Sequence, residues 1–479
     1  MALHYGPSLP TLSAMGARLV NIDRSTPLLL PPDLRDWVRE DDLVHFVLDA
    51  IEALPLTQFR LNHRGTGSEQ YPPRMLLALL VYSYSTGTFS SRQIEALTHL
   101  NVAVRFLCAN THPDHDTICT FRRQNKALLQ ETFVRVLELA AELKLLRVGT
   151  VAIDGTKVLA NASKHSAVSY ERAGEMIRQL ELEVSQLLAK AEAADSTPLQ
   201  DGLSIPEEIA RRQDRKARLE AARRAIEERA QERAQREAAE YQAKLEARKA
   251  KAERGEKTRG RPPKPPDPAP GPKEQHNFTD PESRIMKAGT GGHYEQAYNA
   301  QSAVDTESML IVGQQLSQAP NDKEQLVPTL QSIPASLGQP ASVLVDSGFY
   351  SESATRAVEE GKDGVKSGTT VFAAMGRQSH HRSVADLEAG PEPEAPPTGA
   401  GVAEVMTYRL RSAVGRQLYR LRKQTVEPVF GIIKDVLGFR RFSMRGLEKV
   451  SLEWTLVCLA WNFKRLATLG MAAKMAVVG

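Results

Sequence analysis

Two short apolar runs, each stopped by an aspartate, set the frame of this 479-residue chain. Val148-Gly-Thr-Val-Ala-Ile-Asp154 and Ala341-Ser-Val-Leu-Val-Asp346 have the length and β-branched content of buried strands. Between them, Tyr294–Asp305 and Met309–Leu316 read as two further strands joined by the turn Asp305-Thr-Glu-Ser. A helix capped by Asn321 or Asp322 follows, running to Ile333. After Asp346 come a helix over Glu352–Glu360 and a short strand over Thr369–Ala373. A mixed sheet flanked by helices is the architecture this order supports, with ligands expected at the strand ends.

A third acid, Glu427, opens a helical pattern that reaches Lys434. With Thr425 as its N-cap, Glu427 takes the second helical position and Pro428 the third, where a missing N–H costs no helical bond. Glu427 would then face the positive end of the helix dipole. Two strand-end carboxylates and one helical carboxylate, brought together by the fold, make a site for two hard divalent cations, Mg²⁺ or Mn²⁺. Such a pair serves phosphodiester chemistry on DNA or RNA. Asp322, Asp435 and Glu453 are read instead as a cap and two helix-surface residues.

The flanking regions are helical. Residues 20–145 read as an all-α domain. Asp41 or Asp42 caps a first helix, Pro72-Pro73 opens a second that stops near Gly87, and Ser90-x-x-Gln93 has capping-box spacing. A turn at Thr111–Asp116 precedes a long helix from Thr117 that carries Arg122 and Arg123, a pattern compatible with helix-turn-helix DNA binding and equally with a plain bundle. Residues 164–277 interrupt the sheet pattern with a densely charged helical stretch. Its apolar positions Leu219, Ile226 and Leu245 make a poor seam, so it projects as a hairpin or weak coiled coil. It ends in the Pro-rich linker Arg259–Gly271, whose Arg259-Gly-Arg-Pro262 matches a minor-groove arm and reads more simply as spacer. Residues 376–401 read as a flexible loop, and Glu448–Leu469 as a last helix.

Composition narrows the partners. Lys+Arg (62) nearly balance Asp+Glu (58), so any basic surface is local. Three cysteines exclude a disulfide framework and suit a reducing cytoplasm. The densest apolar run, Met75–Val81, is too short to cross a bilayer, and Met1–Pro7 does not open a signal peptide, so no membrane partner is expected. Cys108, His112, His115 and Cys119 could in principle hold zinc, but their short spacing and Pro113 favour a packed Cys108 instead.

Taken together, several blocks resemble the DDE transposases of bacterial insertion sequences. These are Val151-Ala-Ile-Asp154-Gly-Thr-Lys157 with Ala160-Asn-Ala162, Asp280–Met286, Tyr298–Asp305, Val345–Tyr350, Thr425–Lys434, Gly438–Phe442 and Arg445-Gly446. The helical N-terminus is similar to the domain that precedes the catalytic one in that family. The resemblance implies an RNase H-like catalytic domain over 146–163 and 278–469, interrupted by the insertion. It also implies that Asp154, Asp346 and Glu427 are the catalytic and metal-binding triad. The family's tyrosine–arginine–glutamate–lysine signature falls on Tyr419, on Lys423 or the adjacent Arg422, on Glu427 and on Lys434. With Lys157, Arg122, Arg123, Arg440 and Arg441, these basic and aromatic residues are the implied DNA contacts. The implied partners are terminal inverted repeats and target DNA, bound by a homodimer or larger assembly. A nuclease or resolvase of the same fold, or an inactive DNA-binding descendant, would carry the same local motifs.

Overall fold

The computed structural model describes residues 33–60, 70–194, 204–254, 262–288, 292–360, 367–376, 392–397 and 399–470. The N-terminal leader reading, Arg259-Gly-Arg261 and most of the 376–401 loop fall outside them. Helix α1 (Leu43–Ala53) is capped by Asp42, whose carboxylate accepts from the Val44 amide at 2.9 Å. Helix α2 (Pro73–Ser85) is apolar all round and buried from Leu76 to Ser85, so it forms the centre of the helical region. It stops before Gly87, whose φ of +84° suits glycine. Helix α3 (Ser91–Leu100) starts after Ser90, but the Ser90 hydroxyl makes no capping bond. Then come α4 (Val102–Leu107), α5 (His115–Gln124) and α6 (Lys126–Glu142). The single long helix expected from Thr117 is therefore two. Asn125 breaks it, its side-chain amide donating to the Phe121 carbonyl, a local bond that competes with helix continuation.

The main sheet has strands β1 (Thr150–Leu159), β4 (Arg284–Ala288), β5 (His293–Asp305), β6 (Ile311–Ser317), β7 (Ser342–Val345) and β8 (Thr370–Ala373). Their order is β4-β5-β1-β7-β8, with β6 also on β5. Strands β1 and β5 are antiparallel, while β1, β7 and β8 run parallel, so the sheet is mixed. The β5–β6 turn is held by Asp305, whose carboxylate accepts from the amide and hydroxyl of Ser308. Helices α9 (Leu326–Gln331), α10 (Glu352–Glu360), α11 (Val402–Arg411), α12 (Ala413–Gly431) and α13 (Leu447–Thr468) complete the layers. A π-helical turn, Ile432–Val436, extends α12.

Between β1 and β4 the chain leaves as α7 (Tyr170–Ala194) and returns along α8 (Ile205–Glu253). The two are antiparallel, since Glu181 pairs with Lys216 and Glu183 with Arg212, while Tyr170 donates to Glu227. Strands β2 (Ala167–Ser169) and β3 (Gln275–Asn277) close the base of this hairpin as a separate ladder. A small core of Val168, Ala173, Ile177, Leu180, Leu219 and Ala222 serves it. The main core is continuous from the N-terminal helices through the sheet to α13. Among the described residues no helix is long and apolar enough to cross a membrane.

Candidate active site

Parallel pairing brings the first two acids together. β7 pairs with β1 from Thr150↔Ser342 to Ala152↔Leu344, and the same register carried two residues on sets Asp346 beside Asp154. Asp154 is half-buried within β1, with its Oδ1 accepting from the Gly155 amide at 2.8 Å. Asp346 lies just past the end of β7. Its Oδ1 accepts from the Gly348 amide at 2.7 Å, and a Cβ on residue 348 would stand 3.0 Å from that oxygen. The glycine two residues after the aspartate thus lets the turn fold back onto the carboxylate.

Helix α12 supplies the third acid, in a different way from the sequence expectation. The helix starts at Ala413, so Glu427 sits in its C-terminal half and Pro428 inside it. The first-turn placement and its dipole argument are corrected accordingly. Ser412, not Thr425, caps the helix; the Thr425 hydroxyl donates back to the Leu421 carbonyl. Between the acids lies Arg422, with Nη1 at 3.0 Å from Asp154 Oδ2 and Nη2 at 3.5 Å from Glu427 Oε1. Lys423, the alternative at this position, is exposed. The Tyr419 hydroxyl donates to the Val345 carbonyl at 3.0 Å, next to Asp346, and burial pushes its phenol above the usual range.

The electrostatics centre on Asp154. Burial pushes its carboxyl up to about 6, opposed by Arg422 and the Gly155 amide and reinforced by Asp346 and Asp322. Glu427 is the open member of the set, its side chain 53% exposed against 19% for Asp154.

Further along β1, the Lys434 amine donates to the Lys157 carbonyl at 2.7 Å, and burial lowers the pKa of both lysines. The Lys157 amine lies 3.6 Å from Asp322 Oδ1. Asp322 is no helix cap: α9 begins after Gln325, and the Asp322 carboxylate accepts from Asn299 Nδ2 at 2.6 Å and Gln301 Nε2 at 2.7 Å. This cluster packs on Gly155, where a Cβ would come within 2.4 Å of Gln301 Nε2. Sequence reasoning missed it. The available signal was two amides, Asn299 and Gln301, alternating with apolar residues on a strand buried on both faces, where buried polar groups require partners.

Other expectations resolve individually. Arg122 is buried, donating to the Tyr84 hydroxyl at 2.6 Å and the Phe89 carbonyl at 3.2 Å, so it faces the core and cannot meet DNA. Arg123 is exposed and reaches the Thr120 hydroxyl. Arg440 pairs with exposed Asp435, and Arg441 donates to the Ala160 carbonyl at 3.3 Å. Glu453 is fully buried rather than on the helix surface, its carboxylate capping the Ser443 and Met444 amides. Cys108 is a packed core thiol, pushed up to about 12 by burial. Among the described residues no three histidine, cysteine, aspartate or glutamate side chains already form a metal cage. His115 pairs with Glu95, and Arg422 separates Asp154 from Glu427.

Comparison with known families gives two matches. A model described as a transposase DDE domain matches residues 266–463, and one described as a transposase domain (DUF772) matches residues 32–124. The first takes in Asp346 and Glu427, whereas Asp154 lies on the far side of the α7–α8 hairpin, outside the matched span. No curated protein and no solved structure matches the chain.

Proposed function

The chain belongs to the DDE transposases of insertion-sequence type, and from that premise we propose that Asp154, Asp346 and Glu427 are the acids that cut and join DNA. Its helical N-terminal region and mixed sheet are those of an RNase H-like DDE enzyme. The observation that carries the assignment is Arg422, which ties the β1 aspartate to the α12 glutamate while the β7 register sets Asp346 at the same edge.

The donor set fits a divalent cation. All three groups are hard oxygen donors, and Asp154 carries a carboxylate whose ionised form is short of positive compensation even with Arg422 beside it. We assign Mg²⁺ or Mn²⁺, two ions, to these carboxylates. When bound, such ions activate water or a 3′-hydroxyl and stabilise the departing oxygen. The protein's own part is positional. β1 carries one carboxylate in the sheet, the turn after β7 places a second beside it, α12 presents the third at the solvent edge, and Arg422 links strand and helix. Lys423, Lys434, Tyr419, Arg123, Arg440 and Arg441 remain the proposed DNA contacts, by phosphate pairing or by stacking, whereas the Lys157 amine is buried beside Asp322 and Arg422 is engaged by Asp154 and Glu427, so neither is kept as one. The reaction is hydrolysis that frees 3′-OH ends at the element's terminal inverted repeats, followed by attack of those ends on target DNA. Joining two ends to one target requires an assembly of at least two chains.

The test is a Mg²⁺-dependent reaction on duplex DNA carrying the element's end, comparing wild type with Glu427→Gln. Cleavage at the end with joined products, both lost in the variant, is the expected result. Cleavage without joining would replace the transposase with a nuclease. Binding with no chemistry in Mg²⁺ or Mn²⁺ would make the chain an inactive DNA-binding descendant.

A further inference from the structure

Beyond the triad, a file of cations hangs on the backbone of β1 and of the two residues that follow it. Lys434 donates to the carbonyl of Lys157 at 2.7 Å, Arg441 to that of Ala160 at 3.3 Å, and Arg445 to that of Asn161 at 2.9 Å. The alignment is built in. The segment after the π-helical turn pairs with the end of β1, Leu159 donating to Arg440 O at 3.0 Å and Phe442 to Leu159 O at 2.9 Å. Phe439, Phe442 and Met444 are buried beneath it, which leaves Arg441 and Arg445 exposed.

The file ends in a cavity of about 420 Å³ lined by Asn161, Ser163, Lys164, Thr279, Arg441 and Arg445. One acid, Glu295, also lines it and is paired with Lys164 at 3.2 Å. Each arginine uses a single N–H on a carbonyl, and a guanidinium has five, so both have donors left for an oxyanion. Hydroxyl, amide and guanidinium donors around one concavity are a set that suits a phosphate.

We infer that this file is a track for the DNA backbone, and that the cavity takes a phosphate about six base pairs from the scissile bond. The distance follows from the strand. Six residues separate Asp154 from Ala160, roughly 20 Å at about 3.3 Å per residue, and a duplex rises about 3.4 Å per base pair. The inference rests on the transposase reading above and adds to it where the duplex lies. The duplex on the track is either the element's own end or the flanking donor DNA, two sources with the same backbone chemistry.

Single methylphosphonates, which remove one phosphate charge, are walked in both directions from the cleavage position of an end duplex. Binding is measured for wild type and for the Arg441→Ala/Arg445→Ala double variant, with thermal melting to show that the variant is folded. Wild type should lose roughly ten-fold in affinity at a position about five to seven pairs from the cut. The variant should be weaker on unmodified DNA and indifferent to that same methylphosphonate. A response on the element side places the element's end on the track, and one on the other side places the flank there. Additive losses from variant and modification, or no sensitive phosphate in that window, would overturn the track while leaving end binding and cleavage intact. A wild type that neither binds nor cuts ends would overturn the transposase reading, and the track with it.

Discussion

Burial, with help from Asp346 and Asp322, pushes the Asp154 carboxyl up to about 6, although Arg422 and the Gly155 amide pull the other way. An unfolded aspartate titrates near 3.9. The folded value is the higher one, so this group's contribution to stability is complete below about pH 4 and is lost as pH rises through 6. At pH 7.5 the ionised Asp154 therefore weakens the fold. Asp154→Asn should raise unfolding stability there by about 3 kcal/mol, with the gain fading as pH falls from about 6 towards 4. Urea denaturation at pH 7.5 and pH 4 measures both; an equal gain at both pH values would mean that ionisation is not the cause. That Asp346 follows the end of a strand was legible from its apolar run; Asp154, expected at a strand end too, lies inside β1, which runs on through Lys157 to Leu159 because it stays paired with β5. The choice between Arg422 and Lys423 was not legible. Counting residues back from Glu427 follows one face of α12, and Lys423 lies on that exposed face. Arg422 is about 140° round the helix from Glu427, on the side that packs against β1, and only its long side chain closes the gap.

Regular elements were legible where period or capping was strong. β7 and α10 fall where the apolar run and the Glu352–Glu360 pattern put them, and Asp42 caps α1 as expected. The three-residue strands β2 and β3 carry too little sequence for any period, yet they define how the insertion is attached. They bring Tyr170 and Glu274 together, the Tyr170 amide donating to the Glu274 carbonyl at 2.9 Å. The α7–α8 hairpin has its own small core, apart from the main one. Replacing residues 171–273 with a short Gly/Ser linker should therefore leave the sheet folded. Circular dichroism and a cooperative melt within a few degrees of the full chain would be the outcome; loss of cooperative melting would show that the hairpin supports the sheet. Pro428 illustrates the opposite error. Proline suggested a helix start, whereas tertiary packing of Val426, Val429 and Phe430 carries α12 through it.

At the scale of the molecule, the helical N-terminus and the sheet are one body. Asn462 on α13 accepts from the Ile311 amide and donates to the Ile311 carbonyl, both at 2.8 Å, which fastens α13 to β6. On its other side, α13 receives the Ser85 hydroxyl of α2 on the Ala460 carbonyl at 3.0 Å, and Phe463 meets Phe46 at 6.0 Å between ring centroids. Sequence showed two helical and strand-rich regions in the right order, but not that they share a core, because such packing depends on contacts some 375 residues apart. The central claim is that three distant segments converge on one divalent-metal centre. Loading the full chain with Fe²⁺ in place of Mg²⁺, adding ascorbate and mapping backbone scission by mass spectrometry tests it directly. Cuts clustered near residues 154, 346 and 427, all lost in Asp154→Asn, are the result expected. Scission confined to one segment, or unchanged by that substitution, would contradict it.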